Sequence, residues 1–249
     1  MADGEGDQAL TVAPARVADT PMTLVDHLGE LRSRLLRAIL AIVAGSVVGF
    51  WFGDDVVRFL RDPLPIDSPL VFTSIGDPFA IRLRIAIVVG IVLAMPVILY
   101  QGWAFVSPGL TAAERRTARP WLPMALVFFG FGVGVAYLVL PFAAGFLLSF
   151  SSPQLQPLLT AREYFDFVST MFLAFGLLME FPIVLVGLSR VGIVTSGRLR
   201  AARRMVILGI AIFSTAATPG GDLVSPAVLG LSLYLLFELS IVLIRRSGR

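Results

Sequence analysis

The chain has 249 residues, of which 57% are hydrophobic and only 15% are charged, with a formal net charge of +3 at pH 7. Because soluble domains carry about 25% charged residues, these values exclude a soluble protein and indicate a polytopic membrane protein. The chain has no cysteine and one histidine, His27. Disulfides and thiol chemistry are therefore excluded, and no metal or cofactor site is expected.

The N-terminal segment 1–20 is predicted to be a disordered cytoplasmic tail. It is acidic and contains proline, and it lacks the basic start and apolar stretch of a secretory signal peptide. Residues 21–245 are predicted to form a single membrane domain, followed by a short cytoplasmic tail at 246–249.

Six apolar stretches predict an all-α membrane protein with six transmembrane helices. They lie at about 35–52, 85–106, 121–142, 164–188, 205–217 and 227–244. The third helix is expected to be broken at Pro141. A spanning helix needs about 20 residues, whereas the fifth stretch has roughly 13. The turn sequence TPGGD follows it, so the fifth and sixth stretches are predicted to form a short helical hairpin.

The distribution of arginine predicts that both termini are cytoplasmic. Segments on the outer side would hold five of the twenty basic residues, and those on the inner side would hold the other fifteen. The five are Arg58, Arg61, Arg82, Arg84 and Arg162. Since cytoplasmic loops carry an excess of basic residues, the orientation follows.

An amphipathic helix is predicted over residues 23–39, before the first span. Its apolar face is formed by Leu24, Leu28, Leu31 and Leu35. Glu30 lies off this face and is four residues before Arg34, a spacing that is typical of a solvated ion pair.

Glu114 has a similar structural interpretation, because it follows Thr111 by three residues and fits a helix-capping box. Both Glu30 and Glu114 are nevertheless predicted on the cytoplasmic side. Carboxylates bind guanidinium groups through paired, charge-assisted hydrogen bonds. The two acids are therefore also candidates for a site that binds an arginine-bearing peptide.

Glu180 is the one charged residue in the apolar run AFGLLMEFPIVLVG, residues 174–187. A carboxyl group in hydrocarbon costs roughly 2.5–3.5 kcal/mol, so its position calls for an explanation. Pro182 follows and cannot donate a backbone hydrogen bond. We expect a distorted helix and a hydrated cavity around Glu180; the alternative is a buried, protonated side chain bonded to a neighbouring helix.

The chain resembles the TatC family, the core membrane subunit of the twin-arginine (Sec-independent) protein translocase. The resemblance rests on HLGELRSRL at 27–35, PVILYQGWAFVSPGL with ER at 96–115, FGLLMEFPIVL at 175–185, and TPGGDLVS with LYLLFELSI at 218–241. It covers about residues 20–245 in order. It implies a glove-shaped bundle with short fifth and sixth helices in the bacterial cytoplasmic membrane.

The resemblance also implies a function, which is binding of twin-arginine signal peptides at the cytoplasmic face. TatA- and TatB-type single-span partners and the proton-motive force would then export the folded substrate, within a homo- or hetero-oligomer. The implied signal-peptide-binding residues are Glu30, Arg32, Phe105, Leu110 and Glu114. The implied intramembrane acid is Glu180, and the implied residues on the outer side are Asp222 and Pro63. The chain departs from the family pattern at Ser225-Pro226 and in its longer TPGGD turn, which affects expectations about partner contacts there.

Two other function classes fit a polytopic chain. A proton-coupled small-molecule transporter would use Glu180 as its proton carrier, although the sequence shows no inverted repeat. An intramembrane protease would need a histidine within a span, whereas His27 lies outside the spans. No phosphate-loop pattern or HExxH motif is present, so neither an enzyme nor a nucleic-acid-binding protein is expected.

Overall fold

The computed structural model describes residues 24–64, 69–111, 115–116, 119–152, 154, 158–190, 192, 194–218 and 222–246. The tail predicted at 1–20, Glu114 and the last three residues lie outside this part. Within it the protein is all-α, as predicted. The helices are α1 (Leu24–Trp51), α2 (Gly53–Arg61), α3 (Asp77–Val106), α4 (Trp121–Leu148), α5 (Ala161–Leu178), α6 (Phe181–Arg190), α7 (Ser196–Ala201), α8 (Arg203–Ala217) and α9 (Val224–Arg246), with a short 3₁₀ turn at Ser107–Gly109.

Five helical segments in the described part are long and apolar enough to cross a bilayer. They are Val25–Trp51, Asp77–Gly109, Trp121–Leu148, Ala161–Ser189 and Val224–Arg245. The expected fifth span falls in α8, whose 15 residues extend over only about 22 Å. This helix is shorter than a hydrocarbon core of about 30 Å, as predicted.

Helix α9 is longer than predicted. Its 23 residues extend over about 34 Å, so the prediction of a short sixth helix is wrong. The apolar pattern underestimated it because the helix continues past the apolar residues at both ends. It begins close to the capping carboxylate of Asp222 and ends with Arg245 and Arg246, both of which are compatible with helix.

Helices α1 and α3 form an antiparallel pair that is held close by glycine. A Cβ atom on Gly90 would lie 2.7 Å from the carbonyl oxygen of Ile42 and would also collide with Ser46. A Cβ on Gly45 would lie 2.8 Å from the carbonyl oxygen of Gly90. This contact sets the register of the pair, so the start of α1 lies beside the end of α3. We call the end of the bundle that contains them the Glu30 end.

Helices α4 and α5 pack together in the same way. A Cβ on Gly132 would lie 2.5 Å from the carbonyl oxygen of Phe175, and Ala136 is fully buried, whereas Gly130 and Gly134 have open space beside them. Helix α4 therefore packs closely on α5 through its Gly132–Ala136 face and not through its Gly130–Gly134 face. The prediction that the helix is broken at Pro141 is wrong, because α4 continues to Leu148.

The end of the bundle opposite to Glu30 is tied together by polar contacts. The Tyr164 hydroxyl donates to the Leu60 carbonyl oxygen at 2.5 Å, which joins α2 to α5. Arg84 pairs with Asp166 at 2.7 Å, and Arg162 lies 3.4 Å from the buried carboxylate of Asp77. These contacts fix the starts of α3 and α5 side by side, so the ends of α3 and α6 point to the Glu30 end.

Candidate functional site

Glu30 lies on α1 and is held by Arg34 one turn later. The Arg34 Nε donates to Glu30 Oε1 at 2.8 Å, and Arg34 Nη2 contacts the same oxygen. Both side chains are only 19% exposed. The ion pair that the spacing predicted is therefore present, but it is more buried than a solvated surface pair.

The second oxygen of Glu30, Oε2, is buried and has no hydrogen-bond partner in the described part of the chain. Its neighbour is His27 Nδ1 at 3.9 Å, which is beyond hydrogen-bonding distance. The His27 ring stacks on Phe105 of α3, with ring centroids 4.3 Å apart and an interplanar angle of 14°. One buried carboxylate oxygen of Glu30 thus lies unpaired near the His27 ring.

Helix α3 also contributes an amide. Arg34 Nη1 lies 3.5 Å from Gln101 Oε1, so Arg34 bridges the two helices. We call His27, Glu30, Arg34, Gln101 and Phe105 the Glu30 cluster. The sequence analysis did not predict that His27 and Gln101 belong to this cluster. Two spacings in the sequence are compatible with this cluster: His27 lies three residues before Glu30, and Gln101 lies one helical turn before Phe105. The two pairs come together only because of the register of α1 against α3.

The other residues expected at this site are placed less closely. Arg32 is exposed and lies outside the Glu30 cluster, and Leu110 is buried just after the 3₁₀ turn. Arg115 Nε donates to the Ser107 carbonyl oxygen at 3.2 Å. A groove of about 480 Å³ lies here between the end of α3 and the following segment. It is lined by Tyr100, Trp103, Ala104, Ser107, Arg115, Arg116 and Arg119.

Glu180 lies at an interruption between α5 and α6. The Glu180 N–H bonds to the Leu177 carbonyl oxygen at 3.1 Å, a tighter turn than an α-helix makes, and α6 begins at Phe181. Pro182 cannot donate the bond that the Leu178 carbonyl would accept. The predicted helix distortion is therefore confirmed. Glu180 is only 9% exposed, and its buried Oε1 has no hydrogen-bond partner among the described residues.

Asp222 and Pro63 lie at the opposite end of the bundle from Glu30. Asp222 is buried, and its Oδ2 accepts a hydrogen bond of 2.6 Å from the Ser225 N–H at the start of α9. It therefore caps this helix, while its Oδ1 and the Ser225 hydroxyl have no partner in the described part of the chain. Pro63 follows α2 and is partly buried. No cluster of metal-ligating side chains occurs among the residues described by the structure.

The model of a family described as Sec-independent protein translocase protein (TatC) matches residues 26–231. The chain belongs to the TatC family. A TatC from Carboxydothermus hydrogenoformans is 35% identical over 225 residues, which cover 90% of this chain and 93% of that protein. A TatC from Desulforapulum autotrophicum is 36% identical over 232 residues, which cover 90% and 84% of the two chains.

Comparison with solved structures indicates the same family. A solved structure described as the crystal structure of the twin arginine translocase receptor TatC in DDM matches with a TM-score of 0.77 and 35% identity. The match covers 88% of this chain and 99% of that chain. The resemblance drawn from the motifs is confirmed, and the chain is a multi-pass membrane component of the Sec-independent translocase. The family match contains the Glu30 cluster, Glu180 and Asp222, and it ends within α9.

Proposed function

We propose that this TatC protein is the receptor subunit of a twin-arginine translocase and binds the signal peptide's arginines at the Glu30 end. In this proposal both termini and the Glu30 end are cytoplasmic, and Asp222 and Pro63 lie on the outer side. The observation that carries the proposal is the buried Oε2 of Glu30, which has no hydrogen-bond partner in the described part of the chain and lies near His27, whose ring stacks on Phe105. A guanidinium has planar, forked donors that match such a carboxylate, and its flat face stacks on aromatic rings.

The internal ion pair supports a specific mode of binding. Arg34 already presents a guanidinium to Glu30 Oε1, which orients the carboxylate in the absence of peptide. An incoming arginine either adds to the vacant Oε2 or replaces Arg34 on Oε1. In both cases the peptide arginine forms a guanidinium–carboxylate contact of the kind that Arg34 already makes with Glu30. Glu114, on the segment after α3, is proposed to bind the second arginine.

Partner binding is proposed for the outer face of the α8–α9 pair. A groove of about 450 Å³ runs between these helices, and most of its lining is apolar. Its residues include Ile207, Ala211, Ala227, Gly230 and Leu231. Small side chains of this kind allow helices to approach closely in lipid. We propose that TatA- and TatB-type single-span helices dock here and that the proton-motive force drives transport.

Photocrosslinking tests the receptor proposal directly. A photoreactive amino acid is placed at Gly102, one residue after Gln101, or at Gly76 at the opposite end; both positions have open space around them. A twin-arginine precursor is expected to crosslink at position 102 and not at position 76. Equal crosslinking at both positions, or equal crosslinking of a precursor with both arginines replaced by alanine, would contradict the proposal.

A further inference from the structure

A second charged groove lies at the Glu30 end, away from the Glu30 cluster and built by the last third of the chain. Its volume is about 570 Å³. It is lined by Arg200 of α7, Arg203 of α8, and Glu238, Ile241, Val242 and Arg245 of α9. Three guanidinium groups from three helices therefore converge on one concavity, and neither the family match nor the proposed receptor function gives this groove a role.

The charges in this groove are not balanced. Arg203 pairs with Glu238 at 2.6 Å, whereas Arg200 and Arg245 have no carboxylate partner in the described part of the chain. The groove thus holds an excess of two positive charges. The Oε1 atom of Glu238 is buried and has no hydrogen-bond partner among the described residues, so Glu238 binds Arg203 through its other oxygen. A ligand that neutralises the free guanidinium groups must be anionic.

The floor of the groove and the surface below it are apolar. Leu235, Leu239 and Val242 follow one another at intervals of three or four residues and are all exposed. They form a stripe along α9 that leads from Arg245 towards the middle of the span. A cationic pocket next to an exposed apolar stripe is complementary to a phospholipid, whose anionic headgroup is joined to hydrocarbon chains.

We propose that this groove binds an anionic glycerophospholipid such as phosphatidylglycerol. Arg200 and Arg245 bind the headgroup phosphate, Arg203 contributes from its pair with Glu238, and an acyl chain lies along the α9 stripe. The position fits, because α9 changes from apolar to basic residues at Arg245, as expected of a helix that leaves the hydrocarbon region there. Basic pockets between helices on the cytoplasmic side are suited to anionic headgroups, since guanidinium binds phosphate oxygens with paired donors.

The test measures binding of labelled phosphatidylglycerol to the purified full-length protein in detergent. The groove variant is Arg200→Gln with Arg245→Gln, and the control is Arg37→Gln with Arg204→Gln, which removes the same charge from exposed residues at the same end that do not line the groove. The groove variant is expected to bind about thirtyfold more weakly, which corresponds to the loss of two charges worth roughly 1 kcal/mol each. The control is expected to bind like the original protein.

A third variant distinguishes lost binding from lost folding. Glu238→Gln removes the acid that competes for Arg203, so phosphatidylglycerol is expected to bind several-fold more tightly. Zwitterionic phosphatidylcholine is expected to bind weakly to every variant, and soluble glycerol phosphate is expected not to compete. Equal losses in the groove and control variants, equal binding of the two lipids, competition by glycerol phosphate or by an acidic peptide, or weaker binding by Glu238→Gln would each overturn the proposal.

Discussion

Glu30 has the surroundings that binding of an external arginine requires. Its carboxylate is partly buried and oriented by Arg34, and its Oε2 has no hydrogen-bond partner among the residues that the structure describes. Binding a guanidinium at such a position contributes more than at an exposed carboxylate, because fewer water contacts are exchanged and the geometry is already fixed. The support for the receptor hypothesis therefore comes from the partial burial and fixed orientation of the Glu30 carboxylate. An acidic residue at this position would not be sufficient by itself.

Replacing Arg34 by glutamine separates its contribution to stability from its competition with the peptide for Glu30. The change leaves the partly buried Glu30 carboxylate without its ion pair and is expected to destabilise the fold by about 1–2 kcal/mol, between the values for exposed and buried pairs. A twin-arginine peptide restores the missing guanidinium, so it is expected to bind more tightly than to the original protein. Peptide titration and thermal unfolding measure the two effects, and Arg37→Gln is the exposed control. Weaker peptide binding would instead show that Arg34 positions Glu30.

A substitution at Glu114 can likewise separate helix capping from arginine binding. Glu114 lies outside the residues that the structure describes. Glutamine can replace glutamate in a capping box, but it lacks the charge that binds arginine. Glu114→Gln is therefore expected to leave the protein folded and inserted while peptide binding weakens. Circular dichroism and peptide titration test this. Normal binding by Glu114→Gln together with failure of Glu114→Ala would identify a cap and remove Glu114 from the site.

The sequence alone allowed part of this site to be predicted. The spacing of Glu30 and Arg34 predicted their ion pair, since it depends only on helix geometry. The His27–Phe105 stack, the Gln101 contact and the unpartnered Oε2 were not predictable in this way. They depend on how far α1 is shifted along α3, and that shift is set by the backbone contact of Gly45 with Gly90 some four turns away.

At the level of helices, that glycine contact gives a direct test of packing. Alanine is favoured over glycine in a helix by about 1 kcal/mol, so Gly130→Ala, with open space beside it, is expected to be neutral or stabilising. Gly90→Ala is expected to destabilise the protein by about 1–3 kcal/mol, because its Cβ would collide with α1. Thermal unfolding in detergent compares the two variants. Equal melting temperatures would mean that α1 and α3 are not in close contact at Gly90.

The two prolines show where local sequence reasoning fails. Pro182 interrupts its helix, as predicted, whereas Pro141 does not. Both remove one backbone hydrogen bond, so the local chemistry is the same. The difference lies in packing: Leu140 and Ala143 on either side of Pro141 are fully buried in the core, which holds α4 in register across the missing bond. This tertiary effect leaves no sign in the sequence.

The environment of Glu180 remains a prediction that an experiment can decide. The buried Oε1 of Glu180 has no hydrogen-bond partner among the described residues, which favours water over a bond to a neighbouring helix. A cysteine at position 180 of this cysteine-free chain is therefore expected to react with a water-soluble thiol reagent. Cysteines replacing Leu177 or Leu185 are expected to resist it. Equal protection at all three positions would contradict the hydrated cavity and favour a buried, protonated side chain.

At the level of the whole molecule, the polar sites divide between the two ends of the bundle. The Glu30 cluster, the α3 groove and the α7–α9 groove lie at one end, and the Asp77, Asp166 and Asp222 contacts lie at the other. Composition and arginine counting predicted a membrane protein and the side of each loop. The apolar pattern underestimated the length of α9, and arginine counting did not distinguish among the basic clusters, because that distinction depends on contacts between distant segments.

The central claim is that a carboxylate at the Glu30 end recognises arginine by its shape as well as its charge. The most direct measurement is the affinity of a twin-arginine peptide and a twin-lysine peptide for the original protein and for Glu30→Gln, at several salt concentrations. Lysine has the charge without the planar fork, so we expect it to bind about tenfold to a hundredfold more weakly to the original protein. Glu30→Gln is expected to remove this difference, whereas Glu163→Gln, at the opposite end, is expected to preserve it. Equal affinities of the two peptides for the original protein, falling together with added salt, would contradict the claim and leave only general electrostatic attraction.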